Sequence, residues 1–217
     1  MNYKAAVFDL DGTLADTLES IATAANKTLN MLGYGDLPTE NYKYYAGDGA
    51  KALMLRVLRD SGDVQGSRLD EMAPIYADVF EEYCMYKVHP YAGIPELIRD
   101  LKERGMKIAV LTNKPHKRAL DVLAELFEEG TFDYIQGQSD DIPRKPDPAG
   151  AFMITDAFGV APEECIYLGD TDTDMQTGRA AGMFTIGVLW GFRDEQELLS
   201  NGAQALAKTP AEVLKLL

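Results

Sequence analysis

Cysteine and histidine are almost absent from this chain, two of each in 217 residues, and their placement removes several classes of protein. Cys84 and Cys165 lie far apart, with no Cys-x-x-Cys pair and no ligand cluster beside either, so no disulfide framework is on offer. Both read as reduced core residues, in keeping with a cytosolic protein. His89 and His116 have no second ligand near them in sequence and read as structural. Positive charge is also short. The 21 basic residues stand against 35 acidic ones, and the net charge of −14 disfavours nucleic acid and anionic membranes as partners. No apolar run reaches the roughly 20 residues that span a bilayer, and the N-terminus lacks the charged-then-apolar pattern of a signal peptide. Internal repeats and low-complexity segments are missing too. The expectation is a cytoplasmic protein that engages neither nucleic acid nor membrane, as a monomer or weak homodimer.

What is present is apolar content and clustered carboxylate. Hydrophobic residues make up 46% of the chain, ample for a core, and 217 residues suit a core domain with an inserted module. Residues 5–13, Ala-Ala-Val-Phe-Asp-Leu-Asp-Gly-Thr, run a short apolar strand into Asp9 and Asp11. Strand side chains alternate faces, so both carboxylates project the same way and can meet one ligand. Two like charges that close call for a cation. A hard metal such as Mg²⁺ with a phosphate ester supplies it, leaving one carboxylate to attack phosphorus and the other to handle the proton. Gly12 allows a sharp turn and Thr13 adds a hydroxyl. Because the global field repels phosphate, a small anionic substrate also needs one or two well-placed lysines.

From Met106 onward, strand-like and helical runs alternate: strands over 106–111, 132–136, 165–168, 184–190 and 203–206, and helices over 115–127, 148–159 and 174–181. This alternation predicts an α/β fold with a parallel sheet and helices on both faces. Residues 16–88 differ, with helical periodicity and almost no strand signal. Leu14, Leu18, Ile21, Ala25, Leu29 and Leu32 fall three or four apart, Gly33 is expected to end that helix, and further helices are expected over 50–60 and 69–87. The predicted organisation is a core of residues 1–15 and 89–217 with a helical domain of 16–88 inserted after the first strand. Eight of the 11 tyrosines fall between Tyr34 and Tyr91, which suits either a half-wet pocket or ordinary helix packing.

Three further sites lie at predicted carboxyl ends of strands, where open parallel sheets place ligands. In Leu111-Thr112-Asn113-Lys114, the hydroxyl of Thr112 and the amide of Asn113 can donate to phosphate oxygens, although the same residues alone would make a helix cap. In Arg144-Lys145-Pro146-Asp147-Pro148, two prolines stiffen the backbone so that Lys145 can neutralise both Asp9 and phosphoryl oxygens. In residues 168–175, Leu-Gly-Asp-Thr-Asp-Thr-Asp-Met, Asp170 is the best direct metal ligand. Asp174 acts through water or a helix-start hydrogen bond, and Asp172 is solvated.

The run Asp-x-Asp-Gly-Thr-Leu-x-Asp-Thr over residues 9–17 closely resembles the first signature of the haloacid dehalogenase-like hydrolase superfamily. Lys145 resembles its third and Asp170 with Asp174 its fourth, in the right order over most of the chain. The resemblance implies a Rossmann-like core with a mobile helical cap. It implies Asp9 as the residue that becomes phospho-aspartate, Asp11 as the acid and then base, and Thr112 and Lys145 on the phosphoryl group. It also implies Mg²⁺ held by the Asp9 side chain, the Asp11 backbone carbonyl and Asp170. The presence of Asp11 argues for phosphoryl chemistry over carbon–halogen cleavage, since dehalogenases of the superfamily lack it.

The leaving group would be read by the cap. The segment Gly47-Asp48-Gly49-Ala50-Lys51 through Arg56 resembles the cap loop of phosphoglycolate phosphatases, as does the run from Gly182 to Arg193. Gly47 and Gly49 would let backbone approach a small substrate, and Lys51 or Arg56 could meet a carboxylate. An ordinary flexible turn before a helix is the alternative. Asp48 departs from the uncharged residue common there and would set a negative charge against an anionic ester. A small phosphate ester of the phosphoglycolate kind is the expected substrate. A pyrophosphatase, a sugar-phosphate or nucleotide phosphatase and a phosphoglucomutase are the alternatives within the superfamily, and a phospho-acceptor signalling module is the alternative from another class.

Overall fold

All four residues of the strand that leads to Asp9, β1 (Ala5–Phe8), are buried in the computed structural model, which describes residues 3–217. A strand buried on both faces needs a neighbour at each edge and a layer on each face. β1 pairs in parallel with β4 (Lys107–Pro115), placing Phe8 opposite Val110, and with β6 (Cys165–Gly169), placing Phe8 opposite Leu168. The two-residue strands β2 (Ala15–Asp16) and β3 (His89–Pro90) stand where the chain leaves this sheet and returns to it. With β5 (Tyr134–Gln138), β7 (Phe184–Val188) and β8 (Ala205–Ala207), the sheet runs β5-β4-β1-β6-β7-β8, every neighbour parallel. The chain fills one side of β1 and then the other. The reversal opens a crevice at the carboxyl ends of β1, β4 and β6.

The chain divides into two compact units: one holds residues up to Asp16 together with Pro90–Leu217, the other Thr17–His89. The second unit carries α1 (Leu18–Met31), α2 (Tyr42–Tyr45), α3 (Ala50–Asp60) and α4 (Leu69–Tyr83). Ile21, Ala25, Thr28 and Leu29 line the buried side of α1. Asn26 holds Leu37 by both its side-chain atoms and accepts the Tyr42 hydroxyl at 2.7 Å. Leu14 does not join α1, contrary to the periodicity. It sits in the tight turn after Asp11, where its amide donates to the Leu10 carbonyl at 3.0 Å. The helix expected over 69–87 ends four residues early, at Tyr83.

In the α/β unit, α5 (Ile94–Glu103) buries Ile94, Leu97, Ile98 and Leu101, a spacing of three and four that turns one stripe inward. It is followed by α6 (His116–Leu126), α7 (Ala149–Phe158), α8 (Asp172–Ala181), α9 (Glu195–Ser200) and α10 (Pro210–Val213). On one face of the sheet Ala5, Val7, Ala109, Leu111, Cys165 and Tyr167 pack against Ala151, Ile154 and Phe158 of α7. Gly178 brings α8 close to the sheet, since a Cβ there would lie 2.5 Å from Thr185 Cγ2. The architecture is the predicted α/β one. β4 is longer than predicted, because the polar residues Thr112, Asn113 and Lys114 conceal its continuation to Pro115.

Candidate active site

Three buried carboxylates converge at the crevice. Asp9 follows β1, Asp170 follows β6, and Asp174 lies in the first turn of α8; ligand oxygens of the three fall within 4.8 Å of one another. Each is placed by a different device. The Asp9 amide donates to the Leu168 carbonyl at 3.0 Å, carrying the sheet pairing one residue past β1. Asp174 Oδ2 accepts both the amide and the hydroxyl of Thr171, at 3.1 and 2.7 Å, which caps α8. Asp170 is held by its two oxygens: the Thr13 hydroxyl donates to Oδ1 at 3.0 Å and the Phe192 amide to Oδ2 at 2.8 Å.

The cation among them is Lys145. Its buried ammonium lies 3.0 Å from Asp9 Oδ1 and 2.6 Å from Asp174 Oδ1. Asn113 fixes it from behind, accepting the Lys145 amide at 2.9 Å and donating to its carbonyl at 3.1 Å. The sequence reading put the Asn113 amide on phosphate. Both of its side-chain polar atoms instead grip the backbone of Lys145.

One ammonium does not balance three buried carboxylates. Burial and then Asp174 push the Asp9 carboxyl up to about 7, against the pull of Lys145. Burial, Asp174 and Asp9 raise Asp170 well above the usual carboxylate range, despite the Phe192 and Thr13 hydrogen bonds. Burial alone would lower Lys145, but Asp174 and Asp9 hold it well above its ordinary value. Asp9 Oδ1 is buried and faces only the Lys145 ammonium at 3.0 Å, with no well-aligned hydrogen bond to complete its shell among the described residues. Excess negative charge on hard oxygen ligands, with such an oxygen aimed among them, fits a divalent cation. Asp174 already gives Oδ1 to the Lys145 ammonium and Oδ2 to the cap of α8, whereas Asp170 is held by neutral donors alone, so Asp9 and Asp170 are the better placed to ligate it.

Asp11 stands apart. Its side chain is one-fifth exposed and its Oδ1 accepts from Lys114 Nζ at 2.8 Å. Sequence reasoning missed Lys114. Its position two residues beyond Thr112, at the end of the strand beside β1, was the available signal. Thr112 is buried, and its hydroxyl oxygen accepts the Lys114 amide at 3.2 Å. The turn after β7 was also missed as part of the site. Besides the Phe192 amide, it supplies the Trp190 indole, which donates to the Thr13 carbonyl at 3.0 Å. Gly191 permits this contact, because a Cβ there would lie 2.4 Å from the Gly12 carbonyl and 2.3 Å from Asp170 Cβ.

The remaining residues singled out belong to the helical unit and are placed within it. Gly47 and Gly49 take φ values of 120° and 86°, in the region that favours glycine. Asp48 and Arg56 form an ion pair, and Arg56 Nη1 also donates to the Tyr45 carbonyl at 2.9 Å. The negative charge of Asp48 is thus met inside its own unit. Lys51 is exposed on α3. Asp172 opens α8 half-buried, less solvated than expected.

A parallel sheet reversing at its central strand, with three buried carboxylates and a buried lysine at its carboxyl edge, defines an α/β protein with an acidic site at the switch point of its sheet. The chain belongs to the haloacid dehalogenase-like hydrolases, whose family model matches residues 6–188. It is 33% identical to a phosphoglycolate phosphatase of Aquifex aeolicus (strain VF5), over 97% of this chain and 95% of the relative. It is 33% identical to another of Nitrosospira multiformis, over 99% and 95%. A solved Lactobacillus delbrueckii subsp. bulgaricus protein, reported as a candidate phosphoglycolate phosphatase, superposes with a TM-score of 0.95 at 30% identity, over 100% of this chain and 98% of that one. Within the family this chain is an enzyme of the phosphatase type. No helix among the described residues is long and apolar enough to cross a membrane.

Proposed function

We propose that the protein is a Mg²⁺-dependent phosphatase that hydrolyses a small phosphomonoester of the phosphoglycolate kind through a phospho-aspartyl intermediate. The observation that carries this reading is the separation of Asp9 from Asp11. Asp9 lies among Asp170, Asp174 and Lys145, where an anionic phosphoryl group and a cation could be held together, while Asp11 is paired elsewhere and partly exposed. Two carboxylates in unlike surroundings suit a nucleophile and a proton carrier.

Asp9 attacks phosphorus, forming an O–P bond as the bond to the leaving oxygen breaks. Asp11 gives its proton to that oxygen. Asp11 then takes a proton from water, which attacks phosphorus and frees Asp9 and inorganic phosphate. Lys145, beside Asp9, and the Thr112 hydroxyl stabilise the transferring oxygens. When bound, Mg²⁺ would be held by Asp9, the Asp11 backbone carbonyl and Asp170, and would neutralise charge on the phosphoryl oxygens. The helical unit, taken as residues 16–88, acts as the cap that reads the leaving group. The internal Asp48–Arg56 pair supports the phosphoglycolate class, since it compensates the one added charge that spoke against it.

Phosphate release from phosphoglycolate, pyrophosphate, nucleotides and sugar phosphates, with Mg²⁺ and with EDTA, tests the proposal. Phosphoglycolate turned over fastest, with activity lost in EDTA and in Asp9→Asn, is the expected result. Wild-type turnover by Asp9→Asn without metal would overturn it. A long-lived phospho-aspartate without phosphate release would transfer the reading to a signalling acceptor.

A further inference from the structure

Lysine is rarely buried without a partner. The α/β unit buries two at its carboxyl edge, and the mechanism above uses only Lys145. Lys114 is as deeply placed, its side chain 3% exposed, and its ammonium faces Asp11 Oδ1 at 2.8 Å. The origin of its side chain is fixed, because Lys114 lies within β4 and its amide is tied to the Thr112 hydroxyl oxygen. A cation on a rigid strand, with its stem anchored, is preorganised for recognition.

The inference rests on the reading of Asp11 as the proton donor. That role sets the leaving oxygen against the Asp11 carboxylate, and so sets the leaving group beside the ammonium that carboxylate already engages. Charge gives the location its meaning. Asp9, Asp11, Asp170 and Asp174 are four carboxylates served by two ammonium groups, Lys145 and Lys114, in a protein of net charge −14. The phosphoryl end of a substrate meets Lys145 and the metal, whereas an anionic leaving group would meet only repulsion without a cation of its own. Arg56 is spent on Asp48 and the Tyr45 carbonyl.

We propose that Lys114 determines specificity by pairing with a carboxylate carried on the carbon next to the ester oxygen, so that the core as well as the cap selects phosphorylated 2-hydroxy acids over neutral alkyl phosphates. One carbon separates the ester oxygen from such a carboxylate, close enough for a single ammonium to face both it and Asp11. A buried lysine favours an anion there and gains nothing from an alkyl group.

The test compares kcat/KM for 2-phosphoglycolate and for ethyl phosphate, which has the same carbon chain without the carboxylate, in wild type, Lys114→Met and Lys114→Arg. Wild type should prefer phosphoglycolate. Lys114→Met should slow both esters, since Asp11 loses its partner, but should cost phosphoglycolate about tenfold more, chiefly in KM. Lys114→Arg should restore part of the preference. An unchanged ratio in Lys114→Met, with both esters slowed alike, would reduce Lys114 to a positioning partner of Asp11 and overturn the inference. Wild type that is folded yet releases phosphate from neither ester would instead sink the phosphatase reading. Should Lys114→Met fail to melt cooperatively, the same ratio in Lys114→Gln decides the matter.

Discussion

The Trp190 indole Nε1 donates to the Thr13 carbonyl at 3.0 Å, while the Thr13 hydroxyl donates to Asp170 Oδ1 at 3.0 Å. The turn after β7 and the turn after β1 therefore hold one carboxylate jointly, and the Phe192 amide completes the grip on Oδ2 at 2.8 Å. Hydrogen bonds behind a ligand fix its direction and its readiness to accept a cation.

Trp190 is the sole tryptophan, so its emission reports on this junction without labelling. Titration of the EDTA-treated protein with Mg²⁺ should change Trp190 fluorescence saturably. Trp190→Phe keeps a ring but loses the hydrogen bond. Its Mg²⁺ requirement, read from activity or thermal shift, should rise by about tenfold while KM for the ester changes less. A metal requirement equal to that of wild type would mean that the indole contact does not orient Asp170.

The Asn113 clamp calls for a different signature. Asn113→Ala removes the bonds to the amide and carbonyl of Lys145, so the ammonium is kept but its stem is no longer fixed. A misplaced lysine weakens stabilisation of the transferring phosphoryl group more than ground-state binding. The expected result is a fall in kcat of about 10- to 100-fold with a smaller change in KM. A change confined to KM would return Asn113 to the phosphate-binding role read from the sequence.

The sheet was legible because alternating apolar runs and helical periods have few solutions. The charged residues of the site were legible because Asp9, Lys145 and Asp170 each follow an apolar run or stand in a proline-stiffened loop. Lys114 was hidden because polar residues continue β4 through a register shift between Leu111 and Pro115, where alternation no longer marks the facing side. The contribution of Phe192 is a backbone amide, which any residue type could supply. The Asp48–Arg56 pair joins a loop to the second turn of a helix, eight residues apart, outside the spacing at which helix charges are read as partners. Leu14 fits the helical period by chance and is claimed by the turn that Asp11 and Gly12 begin.

Gly178→Ala tests the packing that carries α8, and with it Asp174, against the sheet. The new methyl would lie 2.5 Å from Thr185 Cγ2 and 2.8 Å from Tyr167 Cβ, both on buried strands with little room to yield. Overpacking of this kind costs about 1–3 kcal/mol, which a urea midpoint would register. Stability equal to wild type would show that α8 shifts outward freely.

Asp9 links the electrostatics of the crevice to stability. Its carboxyl, pushed up to about 7 by burial and then Asp174, compares with about 3.9 in an unfolded chain. Between those values the folded protein binds a proton that the unfolded chain has released, so this contribution to stability is full below about pH 4 and is lost as the pH rises through about 7. Asparagine cannot ionise and escapes that loss. In EDTA, wild type and Asp9→Asn should melt close together at about pH 4 and diverge as the pH rises. By pH 8 the variant should be the more stable, by a few kcal/mol at most on the scale of ~1.4 kcal/mol per pKa unit. Mg²⁺ should then stabilise wild type more than the variant, because the variant offers the cation one carboxylate fewer. Were wild type instead to gain on the variant with rising pH in EDTA, Lys145 alone would suffice to hold the Asp9 charge, and the crevice would have no electrostatic need of a cation.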